Sequence, residues 1–223
     1  MRILHLSTTD IQGGAALGAY WLHEGLIAAG HDSMMLVQHK FSDDPHVIQS
    51  KTVCEIAGKD INLRILTERL IQKYRRFNPE GRGLFSPQIW MPSSLTDEIN
   101  ALNPDIVHIH WTQGGFVMPE DIPGINAPVI WTSRDMWLLT NGAHYLDEAE
   151  LPKQNGRLYG RKHRAFDKKT NITFVGISEW LGDLMRVNPL LKNHDITVIQ
   201  NGVPEQVFHA VDKKTELQQR LHL

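Results

Sequence analysis

Three groups of residues have the types and spacing to do chemistry. The first is the glycine pair Gly13-Gly14 in TTDIQGGAALG, between a short apolar run and an Ala- and Leu-rich stretch. Glycine weakens a helix start unless the backbone must turn sharply or admit something close. Free N–H groups and the dipole at a helix N-terminus favour an anion or a polar ligand there. Taken alone, the pair reads better as a plain strand-to-helix turn. The second group is His108, His110 and Trp111 in DIVHIHW. Strand alternation puts both imidazoles on one face. With His144 beyond, they have the residue types for zinc. No third ligand stands at a metal-site spacing and the only cysteine, Cys54, adds nothing, so no metal is expected and the histidines read as polar site residues. The third group is Thr132-Ser133-Arg134-Asp135-Met136-Trp137, followed by His144-Tyr145. Asp135 has the chemistry of an acid, a base or an orienting group. Arg134 is a permanent donor to phosphate or hydroxyl oxygens.

Other chemistries lack their residues. A dinucleotide fingerprint needs G-x-G-x-x-G and an acidic residue closing the second strand. Here the spacing is G-G-x-x-x-G and the second strand ends Gln38-His39-Lys40. A P-loop lysine motif and a G-x-S-x-G elbow are both missing, which speaks against a nucleotide triphosphatase and a serine hydrolase.

The elements that must position these residues alternate. Strand-like runs cover 2–7, 33–38, 105–111, 128–133, 172–178 and 196–200. Helical patterns cover 15–29, closed by Gly30, then 61–77, 93–103, 157–169, a stretch from Glu179, and a weak piece over 212–223. Such alternation predicts a single Rossmann-like α/β domain with a mostly parallel sheet flanked by helices, and 33–38 beside 2–7. Ligands bind such sheets at the carboxyl ends of strands. Those ends are Thr8 to Gly14, His110 to Gly115, Ser133 to Tyr145, Ser178 and Asn201. Trp131 belongs in the core, whereas Trp111 and Trp137 stand at strand ends and suit either core or sugar stacking. Asp10 reads as a loop cap. The stretch 78–92, with three prolines and two glycines, is a long loop.

Composition adds bounds. The chain has 223 residues, 41% hydrophobic and 22% charged, which suits one globular domain. A net charge of −2 gives no field that would attract nucleic acid. One cysteine excludes an internal disulfide and suggests a reducing compartment. No run approaches the ~18 apolar residues of a membrane span, so a cytosolic protein is the default. Two basic segments, Arg69, Lys73, Arg75 and Arg76, then Arg157, Arg161, Lys162 and Arg164, fit a solvated face or an anionic membrane surface.

Five segments, in order, carry a resemblance: ILHLSTTDIQGGAALGAYWLHEGL, NPDIVHIHWTQGGF, PVIWTSRDMWLLTNGAHY, VGISEWLGDLM and VIQNGVPEQVFH. Together they make the chain similar to the N-terminal, acceptor-side half of a GT-B fold glycosyltransferase of family 4, of the bacterial exopolysaccharide or lipopolysaccharide type. The resemblance implies residues 1–205 as the N-terminal domain and 206–223 as the start of a linker to an absent donor-binding domain. It implies retaining transfer from a nucleotide-sugar donor to a glycan or lipid-linked acceptor. No cofactor and no nucleic acid are involved, and the placement is cytoplasmic, peripheral on an anionic membrane. It puts Gly13 and Gly14 at the donor, Asp135 and Arg134 in catalysis, and His110, Trp111, Trp137, His144 and Tyr145 at the acceptor. The chain departs from the family twice. Relatives read T-x-H-D-x-W, where this chain has Arg134 for the histidine. The cysteines that often follow the H-Y pair are absent. A stand-alone acceptor-binding module without turnover is the alternative reading.

Overall fold

The computed structural model describes residues 1–51, 54–56, 59–61, 67, 70, 84–205, 208 and 218. β1 (Arg2–Thr9) and β2 (Asp32–His39) are joined by helix α1 (Gly14–Ala28). The strands pair in parallel from Arg2 opposite Asp32 to Thr9 opposite His39, as the βαβ pattern predicts. There follow β3 (Val47–Gln49), an antiparallel pair β4 (Cys54–Ile56) and β5 (Lys59–Ile61), α2 (Leu95–Ala101), β6 (Ile106–Ile109) and β7 (Val129–Ser133). The last elements are α3 (Arg157–Lys168), β8 (Ile172–Gly176), α4 (Glu179–Val187) and β9 (Asp195–Val198). Seven strands form one parallel sheet in the order β3-β2-β1-β6-β7-β8-β9. The fold is therefore a single α/β domain with a parallel sheet flanked by helices.

Some outcomes differ from the sequence reading, the β4–β5 pair among them, and two expected helices lie almost wholly outside the described residues. β3 is an added edge strand, too short for alternation to reveal. Of the helix expected over 61–77, Ile61 ends β5 and all the rest but 67 and 70 lies outside the described residues, as does all of 212–223 but 218. Three short 3-10 turns, Pro119–Gly124, Met136–Leu139 and Glu148–Lys153, shape loops that carry no helical period.

Alternation gives the sheet two faces. Leu4, Leu6, Val107, Ile109, Val129, Trp131 and Phe174 lie on one, in a single buried cluster with Phe166 of α3 and Met185 of α4. Each fully buried side chain of this size contributes about 1.5–3 kcal/mol. α4 starts where Ser178 accepts the Leu181 N–H at 3.2 Å, an N-cap worth about 1 kcal/mol. The other face is covered differently. α1 packs Ala19 against Met35, Val37 and Val47, while beside it, among the described residues, Ile106, Ile130 and Val175 line a trough together with His108, Thr132, Thr173 and Thr197. No helix of the described residues is long and apolar enough to cross a membrane.

Candidate active site at the carboxyl edge

The strand order reverses direction between β1 and β6, so their following loops part and leave a crevice. The loops are tied at its base: Thr8 N–H donates to the Trp111 carbonyl at 2.8 Å and its hydroxyl to that of Gln113 at 2.6 Å. Gly13 has φ +91, a left-handed backbone that other residues rarely adopt. It sets the turn from which α1 rises. A Cβ on Gly13 or Gly14 would meet nothing within 4 Å, so both face open space. Asp10 holds the neighbouring loop, accepting the N–H groups of Phe41 (3.0 Å) and Ser42 (2.8 Å). Burial alone would raise its pKa, but the hydrogen bonds from Ser42, Phe41 and Ile11 outweigh that and lower it.

Register brings a third histidine to the pair seen in the sequence. His5 of β1 lies opposite His108 of β6, and His110 follows on the same face. His5 Nδ1 and His110 Nε2 are 2.9 Å apart, and the rings of His108 and His110 are 4.1 Å apart. Burial pushes His5 and His110 well below the usual histidine pKa, and pushes His108 down to about 3 with help from the Arg134 charge. Ring nitrogens of the three lie within 4.8 Å of one another, a spacing a metal ion could use. The surroundings do not suit one. Arg134 Nη2 lies 3.4 Å from His110 Nδ1. Arginine only donates, so Nδ1 accepts and Nε2 carries the proton toward His5 Nδ1. A ligating histidine needs the reverse, an outer N–H given to an acceptor, and a guanidinium beside the rings would repel a divalent cation. The donor set is a hydrogen-bonded relay, Arg134 to His110 to His5, that ends on a buried His5 Nε2 with no hydrogen-bond partner among the described residues.

Arg134 itself reaches back over α1. A Cβ on Gly18 would stand 2.6 Å from Arg134 Nη1, so Gly18 is what makes room for the guanidinium. Nη1 donates to Asn201 Oδ1 at 2.6 Å. Desolvation lowers the Arg134 pKa to about 10.

Asp135, the next residue, is turned the opposite way and fully engaged. Oδ1 accepts the Trp137 N–H at 2.9 Å, capping the 3-10 turn. Oδ2 lies 2.6 Å from His144 Nδ1, and His144 Nε2 lies 2.9 Å from Ser86 Oγ. This is the acid, imidazole and hydroxyl order of a hydrolytic triad. Ser86 and His144 are, however, 1% and 0% exposed, so no substrate reaches the hydroxyl. The loop is held from below by Lys162, fully buried. Its Nζ donates to the carbonyls of Trp137 and Thr140 (3.0 Å) and stands 3.4 Å over the Trp137 ring. Burial pushes the Lys162 pKa well down, against the opposing pull of Asp135.

The predicted site residues thus separate. Arg134 and His110 meet. Asp135 and His144 meet each other. Trp137, weighed as a stacking platform, is in the core at 1% exposure with its indole N–H on the Ser86 carbonyl, so it offers no free face. Trp111 is half-buried with its ring 5.8 Å from that of His144, and Tyr145 is exposed. The basic run on α3 is also corrected. Lys162 is internal, and Arg161 is bound to Glu120 and to the Gln88 carbonyl, which leaves Arg157 and Arg164 of that group for any outside partner. His5, Gly18 and Ser86 were not singled out in the sequence, and Lys162 was read there only as part of a basic surface run. Lys162 had a signal: it stands in the stripe Leu158, Lys162, Ala165, Phe166, at core-facing helical spacing.

A parallel sheet of seven strands whose order reverses between β1 and β6 defines a Rossmann-like α/β domain. The chain belongs to Glycosyltransferase Family 4, whose model matches residues 12–207. Among solved structures it is similar to a glycosyltransferase from Rickettsia africae, at 14% identity over 99% of this chain and 49% of that one, TM-score 0.47. It is also similar to Anabaena HepE in complex with UDP and glucose (14%, 100% and 50%, TM-score 0.44). A third is a sucrose-phosphate synthase from Thermosynechococcus elongatus (12%, 100% and 52%, TM-score 0.46). The chain spans about half the length of each of these. No curated protein matches it.

Proposed function

We propose that this chain is the acceptor-side domain of a retaining glycosyltransferase that moves a sugar from a nucleotide-sugar donor to a glycan or lipid-linked acceptor in surface polysaccharide assembly. Residues 1–205 are that domain, and 206–223 lead toward a donor-binding half. The observation that carries the reading is the placement of Arg134 at the carboxyl edge of a family 4 sheet. It is a desolvated cation beside the switch-point crevice, and a preorganised donor in such a place stabilises developing negative charge on a departing diphosphate. Gly13 and Gly14 leave the mouth of the crevice open to the donor. Asp135 serves as a positioning residue, since both its oxygens are used within the loop that bears Arg134.

The test is an assay of the protein expressed from its entire reading frame, with labelled UDP- and GDP-sugars and water-soluble glycan acceptors. Transfer with the donor's anomeric configuration kept, and lost in Arg134→Gln with folding intact, is the expected result. Nucleotide sugars should bind the 223-residue chain alone no better than about millimolar, the ~4 kcal/mol regime. The second reading, a binding module without turnover, is favoured by Arg134 standing where relatives have histidine. Acceptor binding with no transfer from any donor would establish it.

A further inference from the structure

An arginine can stabilise developing charge only where its guanidinium is held in place before the reaction. Its stem is long and has many rotamers, so something must choose one. Three neighbours hold Arg134. Gly18 of α1 lies beneath it: a Cβ there would stand 2.6 Å from Nη1, 3.2 Å from Cζ and 3.3 Å from Nη2. His110 Nδ1 lies 3.4 Å from Nη2, a long contact. Asn201 Oδ1 accepts from Nη1 at 2.6 Å, the shorter of the two polar contacts. Because arginine only donates, the Asn201 amide presents its oxygen and turns Nδ2 away.

Asn201 stands beyond the end of β9, outside the residues assigned above to donor or acceptor. Two residues earlier, the Ile199 N–H still donates to the Gly176 carbonyl at 3.0 Å and keeps the chain against the sheet. From Asn201 the chain runs along α1, where Gly202, Val203 and Pro204 line one cavity with Trp21 and Leu22. The Phe208 ring then meets that of Trp21 edge-on, with centroids 5.9 Å apart. The sheet on one side and α1 on the other therefore place Asn201. Its side chain is exposed, so the position tolerates substitution.

The type of this acceptor matters as much as its place. A carboxylate there would bind the guanidinium more strongly and would also cancel its charge. An amide oxygen holds it and leaves the charge standing. Among the described residues no carboxylate is paired with Arg134, and burial is what lowers its pKa.

We infer that Asn201 is a positioning residue for sugar transfer: its amide oxygen fixes Arg134 at the carboxyl edge and, being neutral, leaves the arginine its full charge for the departing diphosphate. The inference rests on the transferase reading and adds to it a residue from the far edge of the sheet, with a reason for its chemical type.

Two variants test it, Asn201→Ala and the isosteric Asn201→Asp. Transfer is measured in the protein from its entire reading frame, and thermal melts on the 223-residue chain. Asn201→Ala should lower kcat and kcat/KM for the donor together, at least tenfold, the pattern of an interaction lost from the transition state. Its Tm should stay within about 2 °C of wild type. Asn201→Asp should raise the Tm by about 2–4 °C and still lose at least tenfold in kcat. The same change made in Arg134→Gln should leave the Tm unmoved, which assigns the gain to the pair. A contact that served only structure would let activity follow stability. Turnover within twofold of wild type in either variant overturns the inference. So does a Tm that fails to rise in Asn201→Asp, or a rise that persists in Arg134→Gln, even where wild type transfers sugar. A wild type that shows the Tm coupling and transfers nothing overturns the transferase reading, and this role falls with it.

Discussion

Arg134 and Asp135 are neighbours in the chain and opposites in the fold. Asp135 turns into a closed cluster in which every polar atom has a partner: Trp137 N–H, His144, Ser86, with Lys162 beneath. Arg134 turns to the other face, into an open relay that runs through His110 and stops at His5 Nε2, which has none among the described residues. Buried polar groups are normally satisfied, and an exception asks for an explanation. The closed cluster explains itself as structure. It fixes a loop that carries no strand and little helix. The open one is left without a partner at its end among the described residues. The comparison also separates the roles of two adjacent charged residues that the sequence could not: a carboxylate in a site loop need not face the crevice.

The largest effect expected from this contrast is on stability. Asp135→Ala would leave the Trp137 N–H and His144 Nδ1 without their acceptor, at about 1–3 kcal/mol each. Lys162→Met would leave the Trp137 and Thr140 carbonyls bare at similar cost, reduced by the loss of a buried ammonium. Arg134→Met on the open side should change stability by less than about 1 kcal/mol, because it removes an uncompensated charge along with its two contacts. Urea melts of the three variants measure this. A loss in Arg134→Met as large as in Asp135→Ala would mean that the relay is structural too.

Acid separates the clusters next. His5, His108 and His110 have native pKa values below the unfolded value near 6.5, with His108 at about 3. Between those values the unfolded chain takes up protons that the folded chain refuses. The stability they contribute is therefore complete above about pH 6.5 and is lost as the pH falls toward 3. Each histidine adds a slope of about 1.4 kcal/mol per pH unit within its window. His108→Gln should flatten the curve by one such slope over that range. An unchanged profile in the variant would show that His108 titrates normally and that water reaches the relay.

Much of this was legible before the structure, and the limits are physical. β1, α1 and β2 announced themselves because a four-residue apolar period and two strand-length runs agree on one βαβ unit. The crevice followed from strand order, so Arg134 and His110 could be placed at one edge. His5 could not be, since its pairing with His108 is a matter of register between strands a hundred residues apart. Ser86 lies in a proline-bearing segment with no period, and its bond to His144 follows from an isolated bridge between Phe85 and Ala143 that no pattern in either segment announces. Lys162 was hidden by its charge. Its position in the apolar stripe of α3 was readable, but lysine is so rarely buried that composition argued for the surface.

The smallest expected effect concerns the two glycines that read alike in the sequence. Gly13 has φ +91, so Gly13→Ala forces an L residue into a left-handed backbone and should cost about 1–3 kcal/mol although nothing crowds its Cβ. Gly14 opens α1 with ordinary helical geometry and open space around it. Gly14→Ala should therefore be neutral or stabilise by about 0.4–1 kcal/mol, by restricting the unfolded chain. Thermal melts of the pair separate conformation from function. If Gly14→Ala is stable and Gly14→Val in the protein from the entire reading frame loses at least tenfold in turnover, about 1.4 kcal/mol in the barrier, then the open space at Gly14 is reserved for the donor. If both retain turnover, Gly14 is there only to let the chain leave Gly13, and the donor must find its backbone N–H groups elsewhere along the crevice.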